Sequence, residues 1–358
     1  MISKGLPCLV LGTCIAGCSK SPLISQTPVP PSDIPSFRLE SQIDGSLRGI
    51  GAHDEILYST GGHNYGFLVR NWDQPQTFAS LSTVNSIDSD PSYLQAEGKS
   101  KPVSSFAFLD DEGTIREFLD RTAIRENIDG QERDLEPLRL RSGKYRYYRS
   151  GQDLFYRPVG SPEIKRLAAP PISALPLFKK DVFAMPVAKA NSLVVTLAGP
   201  DQEAKEVSLS DSGRLIDFTI DGCFLVQAGS AYAIKTGATT TLLKANEGDL
   251  NEATPETIYQ QNGRTYALGT GRQGSMRKSV SVACIWASDG SLRTLVSSCP
   301  ALGSELSMRN VQTFLSGFAI SESGTIAFQA VTDPADPKPE DLSSNLGRST
   351  IFVLKPMR

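Results

Sequence analysis

Three observations predict an all-β chain from residue 37 onward. Short runs of β-branched and aromatic residues recur throughout, at 55–60, 65–70, 191–197, 223–227, 231–235, 265–268, 280–286 and 350–354. Each is bounded by Gly, Asn, Asp or Pro, the residues that end strands and form tight turns. An acidic residue with glycine just before an apolar strand also recurs, at Asp44-Gly45, Glu112-Gly113, Asp211-Ser212-Gly213, Asp289-Gly290 and Glu322-Ser323-Gly324. Such turns close hairpins between neighbouring strands, with glycine supplying the positive φ. Asn262-Gly263 and Ser150-Gly151 are variants of the same turn.

The elements are justified in chain order. Residues 1–17 form a signal segment: Lys4 precedes a short apolar run from 6 to 16 that contains no acid. A membrane-spanning helix needs about 20 apolar residues and a secretory core about 7–15, so the run fits export and not spanning. It ends in Ile15-Ala16-Gly17-Cys18. This order resembles the bacterial lipoprotein signal, and the resemblance implies cleavage before Cys18, lipidation of Cys18 and anchoring of the chain to a membrane. Ser19 after the cysteine implies sorting to the outer membrane of the cell envelope.

Residues 18–36 follow as a tether containing Pro22, Pro28, Pro30, Pro31 and Pro35. Proline fixes φ and removes a backbone donor, so the stretch favours extended conformations at about 3.1 Å per residue. Residues 37–358 are expected to form one β domain. The segment near residues 114–136 reads differently, as a short helix or a long loop. Thr114 and Glu117 match a capping box, and Ile115, Phe118, Leu119 and Thr122 share a helical face. A proline-rich loop is expected at 333–341.

The recurring turn and strand pattern resembles a β-propeller, in which blades of about 40–50 residues close a ring. The resemblance implies about six to eight blades. Its signatures are generic: Trp72-Asp73 and Gly61-Gly62 each occur once.

Composition excludes several functions. The formal charge of −3 becomes one unit more negative once Lys4 leaves, which speaks against a nucleic-acid partner. No phosphate-cradling loop, dinucleotide fingerprint or Gly-x-Ser-x-Gly elbow is present, so no cofactor is expected. His53 and His63 bracket one strand beside Asp54, a pattern compatible with a metal site, but solvated turn histidines are the expected reading and no metal is assigned. Of the cysteines beyond residue 18, Cys284 and Cys299 flank the Asp289-Gly290 turn. That turn sets Cys284 opposite Val296, about 10 Å of strand short of Cys299, which leaves three buried thiols as the expectation.

The most unusual local feature is the stretch 139–149, in which Arg141, Tyr145, Arg146, Tyr147, Tyr148 and Arg149 interleave cations with aromatic rings. Such side chains stack on sugars and pair with anionic groups, which makes an acidic glycan or an envelope protein the expected partner. Strand alternation divides these residues between two faces, and then the tyrosines become packing. The expected function is a lipid-anchored binding or scaffold module. A hydrolytic, carbohydrate-active domain with converging carboxylates is the alternative, and the sequence assigns no catalytic residue to it.

Overall fold

The computed structural model describes residues 34–51, 54–59, 67–71, 74–77, 94–97, 104–109, 115–119, 123–138, 140, 142–172, 176–189, 192–209, 213–237, 239–274, 280–309, 311–332 and 348–357. Cys18, Arg141, His53, His63, Trp72 and the 333–341 stretch lie outside them. The described residues belong to a unit spanning Asp33–Arg358.

The described residues form 28 strands and two helices. Strand β1 (Phe37–Asp44) is set aside for the last sheet. The first sheet holds β2 (Ser46–Ile50), β3 (Ile56–Ser59), β4 (Phe67–Asn71) and β5 (Gln74–Thr77). The second holds β6 (Leu94–Glu97), β7 (Ser104–Leu109) and β8 (Ile115–Leu119). In the third, β9 (Ile124–Ile128), β10 (Gln131–Leu138), β11 (Tyr145–Ser150), β12 (Asp153–Pro158) and β13 (Lys165–Arg166) pair in order. The fourth holds β14 (Leu177–Lys179), β15 (Val182–Lys189), β16 (Ser192–Gly199) and β17 (Gln202–Leu209). The fifth holds β18 (Arg214–Phe218), β19 (Cys223–Ala228), β20 (Ala231–Thr236) and β21 (Thr239–Leu243). The sixth holds β22 (Leu250–Gln261), β23 (Arg264–Gln273), β24 (Val280–Trp286) and β25 (Leu292–Thr294). Helices α1 (Leu295–Ser298) and α2 (Pro300–Arg309) then lead to β26 (Val311–Ile320), β27 (Ile326–Thr332) and β28 (Arg348–Pro356). These three form the seventh sheet, which β1 completes by pairing antiparallel with β28, from Phe37 opposite Pro356 to Asp44 opposite Thr350.

All seven sheets formed by the described residues are antiparallel, and all but the seventh are simple meanders, so the fold is all-β. Each large core cluster lies between sheets that follow one another. Tyr147, Leu154 and Phe183 join the third to the fourth, and Val195, Leu215 and Phe224 join the fourth to the fifth. Leu225, Ala267 and Trp286 join the fifth to the sixth, and Tyr266, Ile285, Phe328 and Phe352 join the sixth to the seventh. Ile56, Tyr58, Ile351 and Val353 join the seventh to the first. A sheet covered on both faces needs no polar alternation, which explains the continuous apolar run Leu193-Val194-Val195 in β16 and the four fully buried residues Ile351 to Leu354 in β28. Each such side chain contributes about 1.5–3 kcal/mol. The outer strand β17, by contrast, is charged and almost wholly exposed, which protects an unpaired edge.

The expectation near residues 114–136 is corrected: the described residues of the segment, 115–119 and 123–136, are β8, β9 and the start of β10, where a short helix or a long loop was expected. Position 118 pairs with Phe106 of β7, and Ile128 pairs with Gln131 across Asp129-Gly130. Both turn residues are left-handed, at φ 53° and 77°. This is the same acid-glycine hairpin that recurs elsewhere, hidden among dense charges. Exposure along β10 then alternates, with Leu135 buried between exposed Asp134 and Glu136.

The glycine turns at Gly151, Gly263, Gly290 and Gly324 have positive φ and close hairpins as expected. Gly45, also of positive φ, instead joins β1 of the seventh sheet to β2 of the first, which do not pair. Gly213 differs. Its φ is not positive, and a Cβ there would lie 2.7 Å from the Gln227 carbonyl, so close approach is what requires glycine. The register at Cys284 also differs: it pairs with Thr294, not Val296, because the loop spans 287–291 with Ala287 N–H donating to the Ser291 carbonyl. Cys223, Cys284 and Cys299 are free and buried.

Candidate functional site on the tyrosine strand

The β11 sequence Tyr-Arg-Tyr-Tyr-Arg-Ser pairs without a bulge against β12, so successive side chains alternate between the two faces of the third sheet. Tyr145, Tyr147 and Arg149 share one face; Arg146 and Tyr148 share the other. The stretch does not gather on one surface. Tyr147 and Tyr148 are buried, while Tyr145, Arg146 and Arg149 are half-buried. Arg149 Nε donates to the Gly151 carbonyl, and Arg146 donates to the Ser142 carbonyl. On the second face, Arg157 sits 5.5 Å over the Tyr148 ring and donates to its hydroxyl at 2.7 Å. Burial raises the Tyr148 pKa, against the opposing charges of Arg157 and Arg146.

The first face carries more chemistry. The Tyr147 ring meets Phe183 and Phe178 edge-on, with centroids 5.0 and 5.3 Å apart, and its hydroxyl donates to Asp181 Oδ1 at 2.8 Å. Tyr145 stands edge-on to Tyr156 and donates to Asp201 Oδ1. Asp181 lies in the β14–β15 turn and Asp201 in the β16–β17 turn, so two turns of the fourth sheet offer two carboxylates to two tyrosines of the third. Lys180 and Asp181 are both left-handed, at φ 46° and 62°. Gly199 allows the two turns to meet: a Cβ there would lie 2.5 Å from the Asp181 carbonyl oxygen.

Burial raises the Asp181 pKa above its ordinary value, and the charge of Asp201 adds to the rise. Hydrogen bonds from Ser142 and Tyr147 and the charge of Lys144 oppose it. Burial and the two carboxylates together push the phenols of Tyr145 and Tyr147 well above the ordinary tyrosine value. The arrangement is a pair of neighbouring carboxyls held by phenols, one of them with a raised proton affinity. Asp181 and Asp201 carried no sequence signal beyond turn propensity, because their tyrosine partners lie 34 and 56 residues away.

A second polar cluster lies at the end of the first and seventh sheets. Asp54, in the β2–β3 turn, is left-handed at φ 68°. Its carboxylate accepts from the hydroxyls of Ser321 and Ser323 and lies 3.5 Å from Lys355 Nζ. Burial opposes ionisation here, but hydrogen bonds from Ser321, Ser323 and Thr325 and the Lys355 charge outweigh it and lower the pKa. Gln261 of β22 donates to the Ser323 carbonyl. A third cluster is buried: Asp217 of β18 accepts from Lys179 Nζ at 2.6 Å, from Thr257 Oγ1 and from the backbone N–H groups of Ile258 and Phe218. Among the described residues, no three His, Cys, Asp or Glu side chains gather as metal ligands do.

No protein-family profile matches the sequence, and none of the curated proteins does. Solved structures give distant likenesses. The core factor of S. cerevisiae aligns over 91% of this chain at a TM-score of 0.33 and 7% identity, and the chain spans 61% of that protein's length. The AfRom2 CNH domain aligns over 91% of this chain and 98% of its own, at a TM-score of 0.29 and 9% identity. The extracellular domain of a hybrid two-component system from B. thetaiotaomicron aligns over 86% of this chain and 47% of its own, at a TM-score of 0.27 and 10% identity.

Proposed function

We propose that the seven sheets are blades of a β-propeller and that the domain is a binding module anchored by lipid in the bacterial envelope. Three features support the ring. Core clusters join successive sheets from the third through the seventh and back to the first. The leading strands β18, β22, β26 and β2 touch in that order. N-terminal β1 completes the sheet formed by the last three strands. The order Ile15-Ala16-Gly17-Cys18 supports lipidation of Cys18, and Ser19 supports the outer membrane.

The observation that carries the binding role is the meeting of turns from several sheets. Asp54, Ser321, Ser323, Gln261, Lys180 and Glu322 contact one another through polar groups at the strand ends. A face made of turns is free to vary without disturbing the strands beneath, which suits recognition. The partner is an envelope protein or an acidic glycan, and the lipid holds the domain beside it. Cys18→Ala tests the anchor: the variant should lose the acyl mass and leave the membrane fraction, and unchanged mass and partition refute it. Crosslinking in intact cells followed by co-purification tests the partner; recovery of no envelope component above the level of an unrelated lipoprotein refutes the binding role.

The Asp181–Asp201 pair favours a second reading, hydrolysis of a glycosidic bond. Two neighbouring carboxyls, one of them with its proton affinity raised by burial, are a pairing that such chemistry uses. A polysaccharide panel assayed with the intact protein and with Asp181→Asn and Asp201→Asn decides it. Hydrolysis lost in both variants supports the enzyme, and no hydrolysis by the parent protein overturns it.

A further inference from the structure

Lys179 and Lys180 are adjacent, yet they reach different sheets. Lys179, at the end of β14, bonds Asp217 of the fifth sheet and lies 3.3 Å from the Ile258 carbonyl of the sixth. Lys180 reaches further, to Glu322 in the β26–β27 turn of the seventh, at 2.6 Å. It therefore passes over two intervening sheets. In a ring of seven, a contact between the fourth and seventh members crosses the mouth of the space that the leading strands enclose.

The two turns that carry this contact are firmly held. On one side, consecutive left-handed residues Lys180 and Asp181 are fixed by the Tyr147 hydroxyl and by the close approach of Gly199. On the other, Ser321 and Ser323 are fixed by Asp54, and Ser323 also by Gln261. The contact itself is weak by comparison. Its two side chains are 44% and 56% exposed, and exposed ion pairs are screened by salt and add little to stability. A rigid frame joined by an exchangeable link is how a strap is built.

We propose that Lys180 and Glu322 form an exchangeable strap across the axial mouth of the ring, and that its release makes the neighbouring Lys179, whose side chain is 34% exposed with the strap in place, more accessible. The proposal rests on the propeller reading. An anionic group competing for Lys180, or high salt, opens the strap without moving the sheets.

The test uses the full chain and the native Lys179 amine. A water-soluble N-hydroxysuccinimide ester acetylates accessible lysines, and peptide mass mapping reads the rate at Lys179. Glu322→Gln and Lys180→Gln should each raise that rate by up to about five-fold at low salt, the population held back by one exposed ion pair. The parent protein should match the variants in 1 M salt, and unfolding temperatures should not change. Equal Lys179 rates in parent and variants overturn the strap. A second measurement separates that failure from failure of the ring: Lys180→Cys/Glu322→Cys is treated with a short bis-maleimide. A linked 180–322 peptide with flat acetylation rates rejects the strap alone. Absence of the linked peptide rejects the arrangement of sheets and the strap with it.

Discussion

Asp54 and Asp181 occupy the same kind of place and titrate in opposite directions. Both lie in turns that follow the leading strand of a sheet, both are left-handed, and both are partly buried. Asp54 meets three hydroxyls and an ammonium, and its pKa falls. Asp181 meets one serine, one phenol and a more distant lysine, with a second carboxylate nearby, and its pKa rises. Burial is the largest influence on each and acts in the same direction. The neighbours therefore decide the sign: donors concentrated on one carboxylate overcome desolvation, and donors shared between two do not.

The comparison breaks most sharply at Asp54. Asp54→Ala leaves Ser321, Ser323 and Lys355 without their shared acceptor, so a loss of about 3 kcal/mol is expected in urea unfolding. A loss below about 1 kcal/mol shows that the hydroxyls satisfy one another. Gly199→Ala attacks the other turn by forcing a methyl group toward the Asp181 carbonyl, and about 2 kcal/mol should be lost. An unchanged midpoint there means that the turn yields. Tyr147→Phe removes the phenol donor while keeping the ring against Phe183, at a cost of about 1–2 kcal/mol. The Asp181 pKa should then rise further, as read by carboxyl NMR titration; a fall contradicts the assignment of the phenol as donor.

The smallest effect is the pH dependence, and its sign separates the two residues. Asp54 has a folded pKa below the ordinary 3.8, so its contribution is complete above 3.8 and is lost as the pH falls further. Asp181 has a folded pKa above 3.8, so the folded state takes up its proton first. Stability at Asp181 should therefore rise on acidification from neutral pH toward 3.8. Asp181→Asn should flatten that rise and leave the acid loss below 3.8 intact, measured as urea midpoints across pH. A rise that survives in Asp181→Asn assigns it to another group.

The strands were legible because their β-branched and aromatic runs are short and their turns carry glycine; β16, β19, β23, β24 and β28 lie where those runs stand. The segment 114–136 carries a capping box and a 3.6-residue spacing, which are local patterns, while the pairing of β8 with β7 and the Asp129-Gly130 hairpin override them. The alternation of β11 was legible, and with it the division of the arginine–tyrosine stretch between two faces. Its partners were not. Asp181 and Asp201 become visible only once two turns meet at Gly199, and nothing in the spacing of residues 145, 181 and 201 announces that meeting. In the sequence Asp54 stands out only as a neighbour of His53, because its hydroxyl partners lie more than 260 residues away.

The antiparallel ladder between β1 and β28 sets the order in which the chain can finish folding. Phe37, in the first strand, waits for Pro356, in the last. During synthesis from the N-terminus, β1 emerges early and has no ladder partner until β28 has followed. Until then its backbone donors and acceptors are unpaired, as is the β28-facing edge of β27 once that strand forms. Closing so long a loop is slow rather than costly, since the entropy of closure grows only with the logarithm of length. The interval before closure is the time at which this protein most needs protection from edge-to-edge aggregation, and loss of β28 would prolong it indefinitely.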